Sequence, residues 1–186
     1  MKIPFVDLYA QYKSIQTEID AAISGVIQNT SFIGGTTVQQ FENDFAAFTG
    51  IKHVIGCANG TDSIEILLQS FGIGRGDEVI VPAVSWISTS EAVTAVGAVP
   101  VFVDIEENYF TINPALIENA ITKKTKAIIP VHLYGHPANM PAIMAIAKQY
   151  GLIVIEDCAQ SHGASINGEM TGSFGHAASF SFYPGK

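Results

Sequence analysis

The segment LIVIEDCAQSHGA, residues Leu152–Ala164, runs from four apolar residues directly into two carboxylates. A short and nearly continuous apolar run is typical of a strand covered on both faces, as strands are in a parallel sheet. Burying Glu156 and Asp157 at the end of such a strand is costly unless each carboxylate has a partner. The segment therefore predicts a buried strand over Ile153–Asp157 and a cation beside Asp157.

Two kinds of cation are compatible with a buried Asp157. A metal ion is one, with His132, His136 and His162 as possible ligands, although the chain contains no closed ligand spacing such as HExxH. The protonated ring nitrogen of a cofactor is the other. A purely structural alternative, in which the acids cap the turn that follows, fits Glu156 better than Asp157.

Further short runs of β-branched residues alternate with longer segments of helical period. This pattern indicates βα units around a mostly parallel sheet. The predicted strands are His53–Cys57, Glu78–Pro82, Val99–Asp104, Lys126–Val131, Ile153–Asp157 and Ala178–Phe182. The predicted helices are Gln11–Gln28, Val38–Phe48, Thr61–Phe71, Trp86–Val96, Pro114–Ala120 and Met140–Tyr150. The predicted fold class is α/β, with three layers: a mostly parallel central sheet and helices on both of its faces.

The composition favours a folded domain that does not bind nucleic acid. Hydrophobic residues make up 48% of the 186 residues and charged residues 14%, so the chain can bury enough apolar surface to offset the entropy lost on folding. The formal net charge is −8, and the lysines and arginines form no basic stripe that could neutralise a phosphate backbone.

The cysteines and the hydropathy pattern indicate a cellular compartment. Cys57 and Cys158 lie far apart, without a CxxC motif, which favours reduced, buried thiols. The N-terminal residues lack the apolar core of a secretory signal, and no run of 18 apolar residues occurs. We therefore predict a cytoplasmic protein without a membrane partner.

In a parallel sheet with helices on both faces, ligands bind at the carboxyl ends of the strands. The turn Ala58–Ser63 leads into an apolar helix pattern, and the backbone N–H groups of Gly60 and Thr61 there could hold an anion such as phosphate. The alternative is a simple Thr or Asp N-cap. Trp86 follows the strand Glu78–Pro82, where it could stack on a planar cofactor ring or belong to the core.

The segment SFSFYPGK, Ser179–Lys186, places one lysine behind an aromatic run and a Pro-Gly turn. A lysine at the mouth of a largely apolar sheet can act as a nucleophile toward carbonyl groups. The alternative is an ordinary solvated lysine, but the aromatic run before Lys186 argues against this interpretation.

Jointly these features match one cofactor, pyridoxal 5′-phosphate. It carries a phosphate, a flat pyridine ring whose nitrogen must be kept protonated, and an aldehyde that forms a Schiff base with an amine. The anion cradle would hold the phosphate, and Trp86 would stack on the ring. Asp157 would pair with the ring nitrogen, and the amine of Lys186 would react with the aldehyde.

The sequence also resembles a known family. The motifs PFVDLYAQY, FIGG, CANGTDS, GDEVIVPAVSWISTSEAV, GAVPVFVDIE, KAIIPVHLYGHPANM, IEDCAQSHGA and SFSFYPGK are similar to those of the DegT/StrS-like sugar aminotransferases. These enzymes belong to the fold type I superfamily of pyridoxal-phosphate enzymes. The resemblance covers essentially the whole chain and is highly specific.

The resemblance implies a role for four residues around the cofactor ring. Lys186 would be the Schiff-base lysine and, once released, the acid and base that moves the proton. Asp157 would pair with the pyridine nitrogen, and Trp86 would stack on the ring. Gln160 would hydrogen-bond the ring hydroxyl.

The resemblance implies four further contacts. Gly60, Thr61 and Ser181 would hold the phosphate of the cofactor. His162 would approach the ring or the sugar, or would only orient Gln160. No metal is implied.

The family transfers an amino group, usually from L-glutamate, to a keto carbon of a nucleotide-linked deoxysugar, and pyridoxamine phosphate is the alternate form of the cofactor. Gln160 and the SHGA that follows it favour a 3-keto-6-deoxyhexose carried on dTDP or UDP. Members act as homodimers with sites at the interface. The alternatives are a 4-keto sugar aminotransferase and a non-catalytic regulator that binds the same cofactor. A dehydratase would replace the lysine by histidine, and Lys186 argues against it.

Members of that family are considerably longer than this chain. The resemblance therefore implies that residues 1–186 form an N-terminal segment and most of the cofactor-binding large domain. The C-terminal small domain would lie outside them. We expect the sequence to be a piece of a longer polypeptide.

Overall fold

The computed structural model describes residues 4–186. Its helices are α1 (Leu8–Ser14), α2 (Gln16–Gln28), α3 (Thr36–Thr49), α4 (Gly60–Ser70), α5 (Ser88–Ala95), α6 (Pro114–Ala120) and α7 (Met140–Tyr150). Its strands are β1 (Glu78–Pro82), β2 (Val99–Val103), β3 (Thr125–Ile128), β4 (Ile153–Asp157), β5 (Ser165–Ile166), β6 (Glu169–Met170) and β7 (Ala177–Ser179). A 3₁₀ turn spans Leu133–Gly135.

Five of these strands form one sheet in the order β2-β1-β3-β4-β7, and every neighbouring pair in it is parallel. In the register of β4 and β7, Asp157 lies opposite Ser179. Because all five strands run in one direction, their carboxyl ends share an edge of the sheet. The residues that follow β1, β4 and β7 therefore meet at that edge.

Successive side chains of β1 pack on opposite faces of the sheet. Val79 and Val81 belong to the core cluster that contains Ile64 and Leu68 of α4. Ile80, between them, belongs to a second cluster with the buried side chains of α6 and α7. This alternation follows from the two-residue period of a strand. The three-layer α/β architecture predicted from the sequence is thus confirmed.

Four predicted elements have the observed bounds: β1, β4, α6 and α7. Their ends coincide with strong local signals. The side chain of Asn113 accepts a hydrogen bond from the backbone N–H of Ala115 at the start of α6, with Pro114 in the first turn. Gly151 ends α7 in the left-handed conformation, at φ 66°.

The predicted strand His53–Cys57 is wrong, because this segment has no regular structure. The segment is mostly exposed, and the side chain of Ile55 is 84% exposed. A strand requires a hydrogen-bonded neighbour, and none of the strands in residues 4–186 pairs with this segment. An apolar pattern is compatible with a strand, but it does not show whether a pairing strand is present.

The predicted helix Gln11–Gln28 is two helices, α1 and α2, which meet at Ile15. The N–H of Ile15 donates to the carbonyl of Tyr12, three residues back, and the φ of Ile15 is −127°, outside the helical range. The tightened last turn ends α1 there. Over residues 4–186, no helix has the length and apolar character that a membrane crossing requires.

The remaining predicted elements exist with shifted ends. β3 stops at Ile128 rather than at the predicted Val131, since Pro130 has no N–H to donate to the ladder. Val131 forms only an isolated bridge with Asp157. The other shifts are Val99–Asp104 to β2, Ala178–Phe182 to β7, Val38–Phe48 to α3, Thr61–Phe71 to α4 and Trp86–Val96 to α5.

The antiparallel hairpin of β5 and β6 was not predicted. Its two-residue turn is Asn167-Gly168, and both residues have positive φ, 51° and 87°. An Asn-Gly pair is the usual signature of such a type I′ hairpin turn. That pair was the signal in the sequence that could have identified it.

Candidate active site

Asp157 ends β4 at the carboxyl edge of the sheet and is 6% exposed. Its Oδ2 accepts a hydrogen bond from Thr89 Oγ1 at 2.9 Å. Its Oδ1 accepts one from the backbone N–H of Ala159 at 3.1 Å. Two neutral donors therefore fix the orientation of the carboxylate, and the predicted cation beside Asp157 stays a prediction.

Thr89 belongs to a short chain of hydroxyl groups. Ser85 Oγ lies 2.9 Å from Thr89 Oγ1. A hydroxyl has one hydrogen, and that of Thr89 is donated to Asp157, so Ser85 is the donor to Thr89. The chain Ser85–Thr89–Asp157 thus directs hydrogen-bond donation toward the carboxylate.

The start of α4 lies close to the segment that contains Ser179 and Ser181. A Cβ placed on Gly60 would lie 2.9 Å from the Cβ of Ser181, which is closer than real Cβ contacts. Ser179 Oγ donates to the carbonyl of Gly60 at 3.1 Å. The absence of a side chain at Gly60 therefore lets the segment containing Ser181 approach the helix N-terminus.

The N-cap of α4 is Asn59, not the Thr or Asp that was considered. Its Oδ1 accepts a hydrogen bond from the N–H of Asp62 at 2.9 Å. The earlier N–H groups of the helix, those of Gly60 and Thr61, have no intrahelical acceptor. Together with the hydroxyl of Ser181, they can bind an anion at the positive end of the helix dipole.

Thr61 also connects this anion cradle to α5. Its Oγ1 donates to Ser88 Oγ at 2.8 Å. Because Ser88 lies next to Thr89 in the first turn of α5, the same turn contacts both the cradle and Asp157.

Trp86 is 69% exposed, so it does not belong to the core. It lies between β1 and α5 and lines a cleft with Ser85, Thr89 and Phe102. This leaves its indole ring free to contact a ligand at the carboxyl edge of the sheet.

Gln160 follows Asp157 in the same loop. Its Oε1 accepts a hydrogen bond from the backbone N–H of Tyr134 at 2.8 Å. Since the amide oxygen is engaged, the amide NH2 is the end of Gln160 that remains for a ligand oxygen.

His162 lies in an aromatic box formed by Phe45, Phe180 and Phe182, with ring centroids at 6.3, 5.5 and 5.1 Å. Burial lowers the pKa of His162, and the positive charge of Lys186 lowers this pKa further, while a hydrogen bond with the backbone of Ser181 opposes both effects. The buried Nε2 has no hydrogen-bond partner within the described residues. His162 is therefore a neutral neighbour of the lysine.

Lys186 is exposed, and its backbone N–H donates to the carbonyl of Tyr183 at 2.8 Å. This bond closes the Pro-Gly turn. Lys186 thus follows the segment that contains Phe180 and Phe182, two of the aromatic neighbours of His162.

The three histidines considered as metal ligands do not form one cluster. His132 is fully buried beside Glu156. His136 stacks on Tyr109, with ring centroids 4.6 Å apart. His162 lies in the aromatic box. The geometry therefore does not support the alternative in which these three residues hold a metal ion.

Glu156 does not cap the turn after β4, so the structural alternative considered for it is wrong. Its oxygens accept hydrogen bonds from His132 and from the backbone N–H groups of Gly172, Phe174 and Gly175. The turn is instead contacted by Asp157, through the N–H of Ala159.

Sequence reasoning missed Ser85, Thr89 and Ser179 as site residues. Each is an ordinary hydroxyl residue in the sequence, and each is assigned here only by a contact with a distant segment. Their placement just after β1 and at the end of β7 was the one available signal, because ligand sites lie at carboxyl ends of parallel strands.

Comparison with known proteins gives consistent results. A family model described as the DegT/DnrJ/EryC1/StrS aminotransferase family matches residues 13–186. A UDP-N-acetyl-3-dehydro-alpha-D-glucosamine 3-aminotransferase of Acidithiobacillus ferrooxidans is 51% identical, over 99% of this chain and 50% of its own length.

Two solved structures share the fold. DesV of Streptomyces venezuelae, in complex with a ketimine intermediate, is 44% identical with a TM-score of 0.95, over 100% of this chain and 50% of DesV. NtdA of Bacillus subtilis, with bound cofactor PMP, is 39% identical with a TM-score of 0.86, over 92% of this chain and 40% of NtdA.

The chain thus spans about half the length of the curated relatives that it matches. The range matched by the family model, residues 13–186, includes each of the strand-end motifs described above. The chain belongs to the DegT/DnrJ/EryC1/StrS aminotransferase family.

Proposed function

We propose that the protein is a pyridoxal-phosphate-dependent aminotransferase that moves an amino group from L-glutamate to a keto carbon of a nucleotide-linked deoxysugar. The observation that carries the proposal is the buried carboxylate of Asp157. It is oriented by Thr89 and lies at the same sheet edge as the anion cradle of Gly60 and Ser181.

The residues present fit this cofactor. The cradle at Gly60, Thr61 and Ser181 suits a phosphate, because a Cβ at Gly60 would fill the space beside Ser181 and the helix N-terminus attracts anions. When bound, the cofactor supplies an aldehyde and a protonated pyridine ring that withdraws electrons from the reacting carbon. Asp157, oriented by two hydrogen bonds, would accept a hydrogen bond from that ring nitrogen and so keep it protonated.

Three other side chains complete the proposed site. The exposed ring of Trp86 would stack on the pyridine, and the free amide NH2 of Gln160 would donate to the ring hydroxyl. Lys186 would bind the aldehyde carbon and, after its release by the amino donor, would accept and return the proton at its Nζ. Neutral His162 in the aromatic box would add no positive charge beside that amine.

The choice of substrate rests on the relatives. The relative from Acidithiobacillus ferrooxidans is named for 3-amination of a UDP-linked sugar, which supports a 3-keto sugar over a 4-keto sugar. We infer a 3-keto-6-deoxyhexose on dTDP or UDP as the acceptor, L-glutamate as the donor, a homodimer as the active form and the cytoplasm as its location. Residues 1–186 would provide most of the cofactor-binding domain.

The decisive experiment is a single half-reaction. The full-length protein is loaded with pyridoxal phosphate and mixed with L-glutamate, and conversion to pyridoxamine phosphate is followed by absorbance. We expect conversion in the wild type, none in Lys186→Ala, and unchanged conversion in Lys148→Ala, which removes a lysine of α7.

Two outcomes would contradict the proposal. A full-length protein that binds no pyridoxal phosphate would exclude it. Cofactor binding without conversion by glutamate would instead favour the non-catalytic regulator. With conversion established, the pyridoxamine form is offered 3-keto and 4-keto nucleotide sugars, and the acceptor that restores pyridoxal phosphate identifies the aminated carbon.

A further inference from the structure

Glu156 is a fully buried carboxylate that the proposed reaction does not use. Its Oε1 accepts hydrogen bonds from the N–H groups of Phe174 and Gly175, at 2.9 and 2.7 Å. Its Oε2 is bonded to Gly172 N and to His132 Nε2, each at 2.9 Å. Four donors therefore compensate the cost of removing this carboxylate from water.

The bonds of His132 determine its tautomer. Its Nδ1 accepts a hydrogen bond from the backbone N–H of Ala138 at 2.9 Å. The proton is therefore on Nε2, which donates to Glu156. His132 is neutral in this arrangement, so its contact with Glu156 is a hydrogen bond between a neutral ring and an anion.

The bonds of the His132 ring to Glu156 and to Ala138 hold the loop between β3 and α7. His132 is connected to β4 by its side chain and by its backbone N–H, which donates to the carbonyl of Asp157 at 3.1 Å. Its ring also contacts Ala138 at the far end of the loop. One end of the segment 132–138 is thereby bonded to β4, and the other end is bonded to the ring of His132.

The middle of this loop contacts the candidate site. Tyr134 adopts the left-handed conformation, with φ 54° and ψ 27°, which is costly for a residue with a side chain and persists only when the surrounding structure imposes it. In this conformation its N–H donates to Gln160 Oε1 at 2.8 Å.

We propose that Glu156 and His132 are positioning residues for Gln160. The buried pair holds the loop in the shape that presents the N–H of Tyr134. That N–H binds the amide oxygen of Gln160 and so leaves the amide NH2 toward the cofactor's ring hydroxyl. The inference rests on the proposed function, since it assigns the residues that orient one of its cofactor contacts.

A metal site on the same residues is disfavoured. One donor atom each of His132, Glu156 and Cys158 lies within 4.8 Å of the others. However, both ring nitrogens of His132 are already engaged. Burial and the neighbouring charge of Glu156 raise the pKa of Cys158 well above its usual value, which keeps the thiol protonated and a poor ligand.

A double-mutant cycle tests the proposal in the full-length protein. The four forms are the wild type, His132→Phe, Gln160→Ala and the double variant, each loaded with pyridoxal phosphate. The readouts are the absorbance maximum of the bound cofactor, the pH midpoint of that absorbance, the Kd for the cofactor and the melting temperature.

We expect His132→Phe to change the absorbance in the same direction as Gln160→Ala and to weaken binding roughly fivefold, as for one lost hydrogen bond. In the Gln160→Ala background, His132→Phe should alter neither the spectrum nor the Kd, because its target is already absent. The melting temperature should fall equally in both backgrounds.

Additive effects on spectrum and Kd would overturn the proposal, as would a wild-type spectrum in folded His132→Phe. If His132→Phe does not fold, His132→Asn takes its place, because it keeps a polar group beside Glu156 but is too short to contact Ala138 as well. A wild type that binds the cofactor without reacting with glutamate would refute the proposed activity, and the spectral cycle would still decide this inference.

Discussion

Thr89 Oγ1 donates to Asp157 Oδ2 at 2.9 Å, although the two residues are 68 positions apart. Both are buried, so the bond forms where water does not compete. It connects the first turn of α5 to the end of β4, and with the N–H of Ala159 it gives each oxygen of Asp157 a donor. An ionised carboxylate has further lone pairs, so Asp157 can accept another hydrogen bond from a ligand.

Removing this donor should weaken the cofactor contact of Asp157. A hydrogen bond to a charged group contributes about 1.5–3 kcal/mol, so Thr89→Val should weaken binding of pyridoxal phosphate roughly tenfold or more. Thr89→Ser keeps the hydroxyl and should retain most of the affinity. Titration of the full-length apoprotein with the cofactor measures both. Equal affinities for the valine and serine variants would show that the hydroxyl is unimportant.

The Thr89–Asp157 bond also marks the limit of sequence reasoning. β1 and β4 were predicted with their observed bounds because an apolar run and its flanking residues are local features. Asp157 was identified because a carboxylate after an apolar run needs a partner. Which residue serves as that partner depends on how the segments pack. The position of Thr89 soon after β1 suggests a site residue, but it does not indicate a contact with Asp157.

The wrong prediction of a strand at His53–Cys57 has a related cause, since pairing between strands also depends on distant segments. Its central residues, Val54 and Ile55, have high β propensity, but propensity for a strand is expressed only beside a neighbouring strand. Within residues 4–186 that neighbour is missing. The role of Glu156 was likewise missed because its partners, Gly172 to Gly175, follow it by 16 to 19 positions.

The close approach at Gly60 predicts a steric effect. Gly60→Ala places a methyl group 2.9 Å from the Cβ of Ser181, so the cradle must open, and binding of the cofactor phosphate should weaken about tenfold, as for one or two lost hydrogen bonds. The matched control is Gly25→Ala in α2, where the added Cβ meets nothing within 4 Å. That control should bind normally and be slightly more stable.

Calorimetry with inorganic phosphate and with pyridoxal phosphate separates the contributions. Loss of affinity for both ligands locates the defect at the phosphate. Unchanged affinity of Gly60→Ala for both would mean that the cradle lies elsewhere.

Glu156→Gln should be among the most destabilising single changes in the chain. The amide NH2 would face at least one of the N–H donors that now bind the carboxylate, leaving buried donors without acceptors. We expect a loss of about 3 kcal/mol in the free energy of unfolding. Glu107→Gln, at an exposed position, should change it by less than about 0.5 kcal/mol. Urea denaturation of the full-length protein measures both, and similar midpoints would contradict the account of Glu156.

The two cysteines should differ in reactivity. Burial and the charge of Glu156 raise the pKa of Cys158 well above its usual value, whereas Cys57 is exposed. The thiolate is the reactive form, so iodoacetamide should modify Cys57 at mildly alkaline pH and Cys158 only after unfolding. Peptide mapping by mass spectrometry distinguishes the two. Rapid labelling of Cys158 in the folded protein would contradict its burial.

His162 predicts a pH dependence of stability. Burial lowers its pKa in the folded protein below the ordinary value of 6.5, so at pH values between the two the unfolded state binds more protons. Stability is therefore lost as the pH falls from above 6.5 toward the folded pKa, and below that it changes no further through this group. His162→Phe suits the aromatic box and should remove this component, so that stability depends less on pH. His53→Gln, at an exposed position, should leave the dependence as in the wild type. Melting temperatures between pH 5 and pH 8 compare the three proteins, and equal slopes for the wild type and His162→Phe would show that His162 is not the titrating group.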